Sequence, residues 1–151
     1  MDRENFLQRY ADGQRDFTGN DLRGINLSRV DLRMGGNNFS NGILFYQTDL
    51  THANFRHADL SRGCFELANL VGADFTGANL GSTDFDGADL TDACLTGADV
   101  TGANFGSANM TRIDLTDAVG GWSCEEPCLE GAIFPDGTVE GVDDTSHWCA
   151  D

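Results

Sequence analysis

Residues 68–90 read ANLVGADFTGANLGSTDFDGADL, and this stretch decides the fold. Leu70, Phe75, Leu80, Phe85 and Leu90 stand five apart. Two positions before each is a small residue: Ala68, Ala73, Ala78, Thr83 and Ala88. Between the two sits Asn or Asp: Asn69, Asp74, Asn79, Asp84 and Asp89. Working outward, the large apolar series extends without a miss over fourteen positions: Leu50, Phe55, Leu60, Phe65, Leu70, Phe75, Leu80, Phe85, Leu90, Leu95, Val100, Phe105, Met110 and Leu115. A period of five fits neither common element. On an α-helix five residues rotate by about 500° and would scatter the series around every face. On a straight strand an odd period flips each successive large residue to the opposite side. The pattern is consistent only if the chain turns a corner once per pentad. The small and large residues then face inward, and the Asp/Asn between them faces out or bonds nearby backbone. Corners such as Val71-Gly72, Thr76-Gly77 and Asp86-Gly87 place Gly where a type II turn needs positive φ. Stacked turns give a solenoid with a Leu/Phe interior.

The A-(D/N)-L-x-x pattern resembles the pentapeptide-repeat family, over about residues 15–118. The resemblance implies that four pentads close one square coil of an all-β, right-handed quadrilateral parallel β-helix. Backwards, Phe17, Leu22, Leu27 and Leu32 keep the spacing, followed by Phe39, Leu44 and Leu50 at intervals of seven, five and six. This reading places two extra residues near Met34-Gly35-Gly36 and one near Phe45-Tyr46-Gln47. It takes Leu44 as inward because Gly42 is its small partner; the other register turns Phe45 inward. Twenty inward positions make about five coils, with Phe ladders on opposite walls. Residues 1–14 are expected to form a capping helix, with Asp2 as N-cap and Phe6, Leu7 and Tyr10 on one stripe. Residues 119–151 break the repeat and are expected to form an irregular C-terminal cap, in which Leu129 and Phe134 suggest a fragment of a sixth coil.

The chain has 151 residues and a net charge of −16, from 25 acids and nine Arg with no Lys. Residues 1–49 hold seven acids and six Arg, residues 50–118 ten and three, and residues 119–151 eight acids and no Arg. Such a chain is not expected to bind a nucleic-acid backbone through general electrostatics. No apolar run approaches the ~20 residues of a membrane helix. The first residues lack the apolar core of a secretory signal, so a cytoplasmic chain is expected.

No enzyme motif occurs, and a filled solenoid leaves no expected substrate cavity, so neither catalysis nor a cofactor is anticipated. Cys64 and Cys94 fall at outward positions on opposite faces. No metal is expected. The alternative is a Cys₃His zinc site of Cys124, Cys128, His147 and Cys149, although H-x-C is an unusual closing pair; a disulfide among these three Cys is a further reading. Acidic clusters at Asp84, Asp86 and Asp89 match no EF-hand loop.

The expected function is a protein-interaction or scaffold module with an unidentified protein partner. Its anticipated hot spot is Phe45 and Tyr46, outward or bulged beside Arg23, Arg29 and Arg33; the alternative folds Phe45 into the core. A second hypothesis follows from the resemblance, since some family members mimic DNA and occupy type II topoisomerases. Against it, five coils span about 24 Å, or about seven base pairs, and the first coils are near neutral. No dimer module is evident, and a monomer is expected. The form of the N-terminal cap, repeat and PDG-containing tail resembles cyanobacterial members of the family.

Overall fold

The computed structural model describes residues 1–32, 42–124 and 129–138. Each pentad makes a β-turn around a corner. In the one after Phe75, the Ala78 N–H donates to the Phe75 carbonyl at 2.9 Å, and Gly77 has φ 64. The outward Asp74 fastens the same corner: its Oδ1 accepts from the Thr76 N–H at 2.9 Å and the Thr76 hydroxyl at 2.6 Å. This arrangement recurs at Asp49, Asp89, Asp99 and Asn109, so the outward acid or amide is a turn-forming residue.

Between corners, short extended pieces pair with the next coil. Phe65 N–H donates to the Asp84 carbonyl at 2.7 Å, and Asp84 N–H donates to the Gly63 carbonyl at 2.9 Å. Parallel bridges join residues 20 apart from Leu44 to Val119. Four pentads therefore close one turn of a four-walled parallel β-helix. The offset is 28 across the first step, as in Asp16 to Leu44 and Asp31 to Asp59. Eight additional residues thus enter the chain between Leu32 and Phe45. Beyond residue 119 the offset is 19, with bridges from Asn104 to Ser123 and from Asp114 to Ile133.

This register corrects the sequence reading between Leu32 and Leu50: eight additional residues stand there instead of three, and Phe45 follows Phe17 in its column. Phe45, not Leu44, points inward: Phe45 is 0% exposed, and Leu44 occupies the outward column between Asp16 and Cys64. The period of five therefore runs unbroken from Phe45 to Leu115, with no extra residue near Tyr46. Buried Thr48 fills the small slot before Leu50, its hydroxyl donating to the Phe17 carbonyl at 2.9 Å. Gly42 is explained by backbone clearance, since a Cβ there would collide with the Arg62 carbonyl. Phe39 lies outside the described residues.

The inward positions form four columns. The first holds Phe17, Phe45, Phe65, Phe85 and Phe105, with ring centroids 5.0–5.1 Å apart from Phe45 onward. The third holds Phe55 and Phe75, stacked at 4.9 Å. Rings of the two columns meet edge-on, Phe65 to Phe75 at 6.0 Å and Phe75 to Phe85 at 5.9 Å. Leu50, Leu70 and Leu90 line the second wall and Leu60 and Leu80 the fourth, all fully buried. Helix α1 (Arg3–Ala11) covers the open end of the first column. Asp2 caps it by accepting from Asn5 N–H at 2.8 Å. Its buried Phe6 lies 4.4 Å from the Phe17 ring.

Stacking also governs the outward columns. From the second coil to the fifth they read Leu44, Cys64, Asp84, Asn104; Asp49, Asn69, Asp89, Asn109; Asn54, Asp74, Cys94, Asp114; and Asp59, Asn79, Asp99, Val119. No Asp stands directly above another. Asn79 Nδ2 donates to Asp59 Oδ2 at 3.1 Å, and Asn104 Nδ2 to Asp84 Oδ1 at 3.0 Å. Across the first step two Asp pairs do stack, Asp21 with Asp49 and Asp31 with Asp59. Arg23 serves the first pair: it donates to both Asp21 oxygens, at 2.9 and 2.6 Å, and its Nε stands 3.8 Å from Asp49. The Arg23 side-chain and backbone donors bring the Asp21 carboxyl down to about 2.

Three outcomes follow from these columns. Phe75→Ala or Phe85→Ala removes a stacked ring from a close-packed interior and is expected to cost about 3–5 kcal/mol in urea denaturation; loss of less than about 1 kcal/mol for both would contradict the ring columns. Asn79→Asp places four carboxylates in line, Asp31, Asp59, residue 79 and Asp99, and is expected to destabilise by about 1 kcal/mol per new neighbour at pH 7. Crowding raises the carboxyl pKa values in the folded state, so this deficit should vanish as pH falls below the carboxylate range and shrink in salt. For Asp21 the sign is opposite: its lowered pKa contributes stability that is complete above the ordinary value of 3.8 and is lost as pH falls through about 2. Arg23→Gln should raise the Asp21 midpoint in an NMR titration toward 3.8; a midpoint that stays near 2 would show that the backbone donor alone sets it.

Candidate interaction surface

Apart from Thr48 and Thr83 the described interior is lined by apolar side chains, so the polar and charged side chains stand on the outer walls. The register decides which of the anticipated residues share a wall. Phe45 is a core ring and is withdrawn from the surface: it packs 5.0 Å from Phe65 and 6.2 Å from Phe55. Tyr46 is half-buried at the first corner, where the Gly19 N–H donates to its carbonyl. Arg29 is exposed at the third corner, where its N–H donates to the Arg56 carbonyl. Two walls of the square separate them, so Tyr46 and Arg29 do not form one patch. Arg33 lies outside the described residues.

The first wall departs from the polar pattern of the other three. Its outward positions in the second and third coils are Leu44 and Cys64, bridged side by side. The wall runs into a corner bearing Tyr46 and Gln47 in one coil and Glu66 and Leu67 in the next, joined by the Gln47 N–H to Glu66 carbonyl bond at 3.1 Å. Leu67 is 47% exposed and has φ 55. A γ-branched residue in the left-handed region is strained by about 1–2 kcal/mol relative to Gly. Its place is made by Gly87 one coil on, where a Cβ would fall 2.7 Å from Leu67 Cδ2. Burial pushes the Cys64 thiol above its ordinary pKa, and the Asp84 and Glu66 charges add to the rise, so it stays neutral at pH 7. Leu44, Cys64, Tyr46 and Leu67 thus form an apolar area on a rod whose other walls are faced mainly with Asp, Asn and Thr, Cys94 and Val119 standing there singly.

Carboxylates border this area: Asp16 above it, Asp84 below, and Glu66 and Asp86 at the corner. The neighbouring Arg15 is occupied, its guanidinium 3.8 Å from the Tyr10 ring centre and donating to the Tyr10 and Gln14 carbonyls. This surface was not visible in the spacing of the residues. With Leu44 turned inward, the wall loses its leading apolar member, and Leu67 looks like one more corner residue. The only local signal was Leu where the pattern has Gly.

Cys64 and Cys94 are free thiols on opposite walls; Cys94 Sγ lies 3.2 Å from the Thr96 hydroxyl. Cys124 is disulfide-bonded and so does not present the thiolate that zinc requires. Cys128, His147 and Cys149 lie outside the described residues. Among the described residues no group of His, Cys, Asp and Glu is arranged to hold a metal ion, and no helix is long and apolar enough to cross a membrane.

Comparison with known proteins gives these walls a family. The family described as Pentapeptide repeats matches in eight copies over residues 38–70 and 68–106. A pentapeptide repeat protein from the thylakoid lumen of Arabidopsis thaliana is 30% identical, over 82% of this chain and 70% of that one, with a TM-score of 0.35. HetL, a pentapeptide repeat protein from Nostoc involved in regulating heterocyst differentiation, is 23% identical over 92% of this chain and 99% of its own, with a TM-score of 0.31. The plasmid-mediated fluoroquinolone resistance protein QnrB1 is 16% identical over 79% and 67%, with a TM-score of 0.43. No curated protein matches the sequence. The chain belongs to the pentapeptide-repeat family and has its right-handed β-helix.

Proposed function

We propose that this protein is a non-enzymatic interaction module that uses the first wall of its β-helix to engage a partner protein. The observation that supports this is the exposed, left-handed Leu67 beside Leu44, Cys64 and Tyr46. Every other outward column in coils two to five carries Asp at two of its four levels; this one carries it at one. An apolar area bordered by polar groups on a small rod is the usual form of a protein contact.

A second reading, mimicry of duplex DNA at a type II topoisomerase, draws support from charge density. Residues 42–121 carry eleven acids and three Arg. Over four coils this is one net negative charge per roughly 2.4 Å of rod, against about 1.7 Å in duplex DNA. The alternation of Asp with uncharged residues opposes it, since carboxylates along one wall recur only every ~10 Å.

Leu44→Asn with Leu67→Gly restores the family pattern at both positions and separates the readings. Relief of strain at residue 67 and lost burial nearly cancel, so stability is expected to stay within about 1 kcal/mol of the parent. Proteins retained from host extract by the immobilised parent, and confirmed pairwise with purified components, should be lost with the double variant. Retention of the same proteins by both would remove the first wall from the reading. In a gyrase supercoiling assay the parent is expected to be inert at micromolar concentration; inhibition that survives the double variant would instead establish the DNA-like reading.

A further inference from the structure

The chemistry around the apolar area specifies more than a protein contact. Along the rod axis the area is two coils deep, Leu44 beside Cys64, and it continues around the corner onto Leu67. Its lower and corner edges are acidic. Asp84 is bridged to Cys64, the Leu67 N–H donates to the Asp86 carbonyl at 2.9 Å, and Glu66 precedes Leu67 in the chain. Asp16 is bridged to Leu44 on the upper edge, and Asp49 borders the next wall. Of the cations nearby, Arg15 is stacked on Tyr10, Arg23 is shared between Asp21 and Asp49, and Arg62 belongs to the opposite corner of the wall. With Asp49 set aside, the edge is four carboxylates, Asp16, Glu66, Asp84 and Asp86, around four uncharged side chains, on a chain of net charge −16. A second copy of the chain would bring the same charge to the same acidic edge and be repelled, and an anionic partner likewise.

We propose that the first wall binds a cationic amphipathic segment of a partner protein. Aliphatic or aromatic side chains of that segment pack on Leu44, Tyr46, Cys64 and Leu67, and its Lys or Arg side chains reach Glu66, Asp84 and Asp86. This rests on the interaction reading above and adds the sign and patterning of the partner. The acidic edge steers approach and sets specificity, while the apolar centre holds the complex.

Three labelled twelve-residue peptides test it by fluorescence anisotropy at about 150 mM salt, where diffuse attraction is screened. One alternates Leu with Arg, one replaces every Leu by Ser at equal charge, and one replaces every Arg by Glu. The Leu/Arg peptide should bind the parent at least about tenfold tighter than the Ser/Arg peptide. The Leu/Glu peptide should not bind. In Leu44→Asn/Leu67→Gly the preference for Leu/Arg should fall below about twofold with the melting temperature retained. Asp84→Asn/Asp86→Asn should weaken both cationic peptides. A preference that persists in the Leu44→Asn/Leu67→Gly variant, equal binding of the two cationic peptides, or no binding at all overturns the proposal. Tight binding of the Leu/Glu peptide that the double variant abolishes would overturn the cationic assignment while leaving the wall as an interaction surface. Extract capture unaffected by the double variant would instead fail the interaction reading itself.

Discussion

Every feature of this structure depends on the backbone ladder that sets one coil on the next with an offset of 20 residues. Adjacent coils stand about 4.8 Å apart, so the nearest neighbour of a side chain outside its own pentad is its counterpart one coil away. The effective unit is therefore the column. Phenyl rings gain from meeting their own kind: Phe85 and Phe105 are almost parallel, 2° apart, at 5.1 Å. Carboxylates at such spacing repel, and from the second coil to the fifth the outward columns answer with Asn or Cys between successive Asp. The same sequence motif is thus read by two opposite rules, one for the interior and one for the surface.

The corners obey the ladder too. The third residue of each turn has positive φ, and from Gln47 to Leu67 five successive corners fill it without Gly: Gln47, His52, His57, Arg62 and Leu67. His52, His57 and Leu67 lean over the corner of the following coil. A Cβ on Gly72 would meet the His52 ring and one on Gly77 the His57 ring, while one on Gly87 would meet Leu67. Gly in the third and fourth coils therefore meets two needs, the left-handed turn and clearance for the residue above. A belt of bulky corners in the second coil is compatible with the fold because the next coil yields.

Much of this was legible in the residues. The period of five and the inward Leu/Phe series follow from spacing alone, because a miss anywhere from Leu50 to Leu115 would break the packing; the opposed Phe columns needed in addition the four-sided coil that the family resemblance implies. Leu44 and Phe45 show where spacing runs out. Gly42 resembled the small partner of an inward Leu44, but Gly is required there by the Arg62 carbonyl, a neighbour 20 residues away in sequence. Thr48, absent from the series of small partners read in the sequence, fills one of those slots with its hydroxyl satisfied inside by the Phe17 carbonyl. Long-range backbone contacts decided both, and local pattern carries no record of them. The anticipated surface failed for the same reason: Tyr46 and Arg29 are close in the chain's repeat but stand two walls apart once the coils are in register.

The net charge of −16 acquires a structural ceiling from the column rule. If no two Asp stack, four levels admit at most two per wall. Walls two, three and four reach that limit in coils two to five, with Asp49 and Asp89, Asp74 and Asp114, and Asp59 and Asp99. Their acidity is what an Asp/Asn turn motif yields when filled to capacity, and it does not by itself point to a DNA-like role. The first wall stops one short, with Asp84 alone, and replaces the missing charge by Leu44 and Cys64. Backbone pairing is the same on all four walls, so the ladder does not account for the difference. It is the feature on which the proposed contact rests.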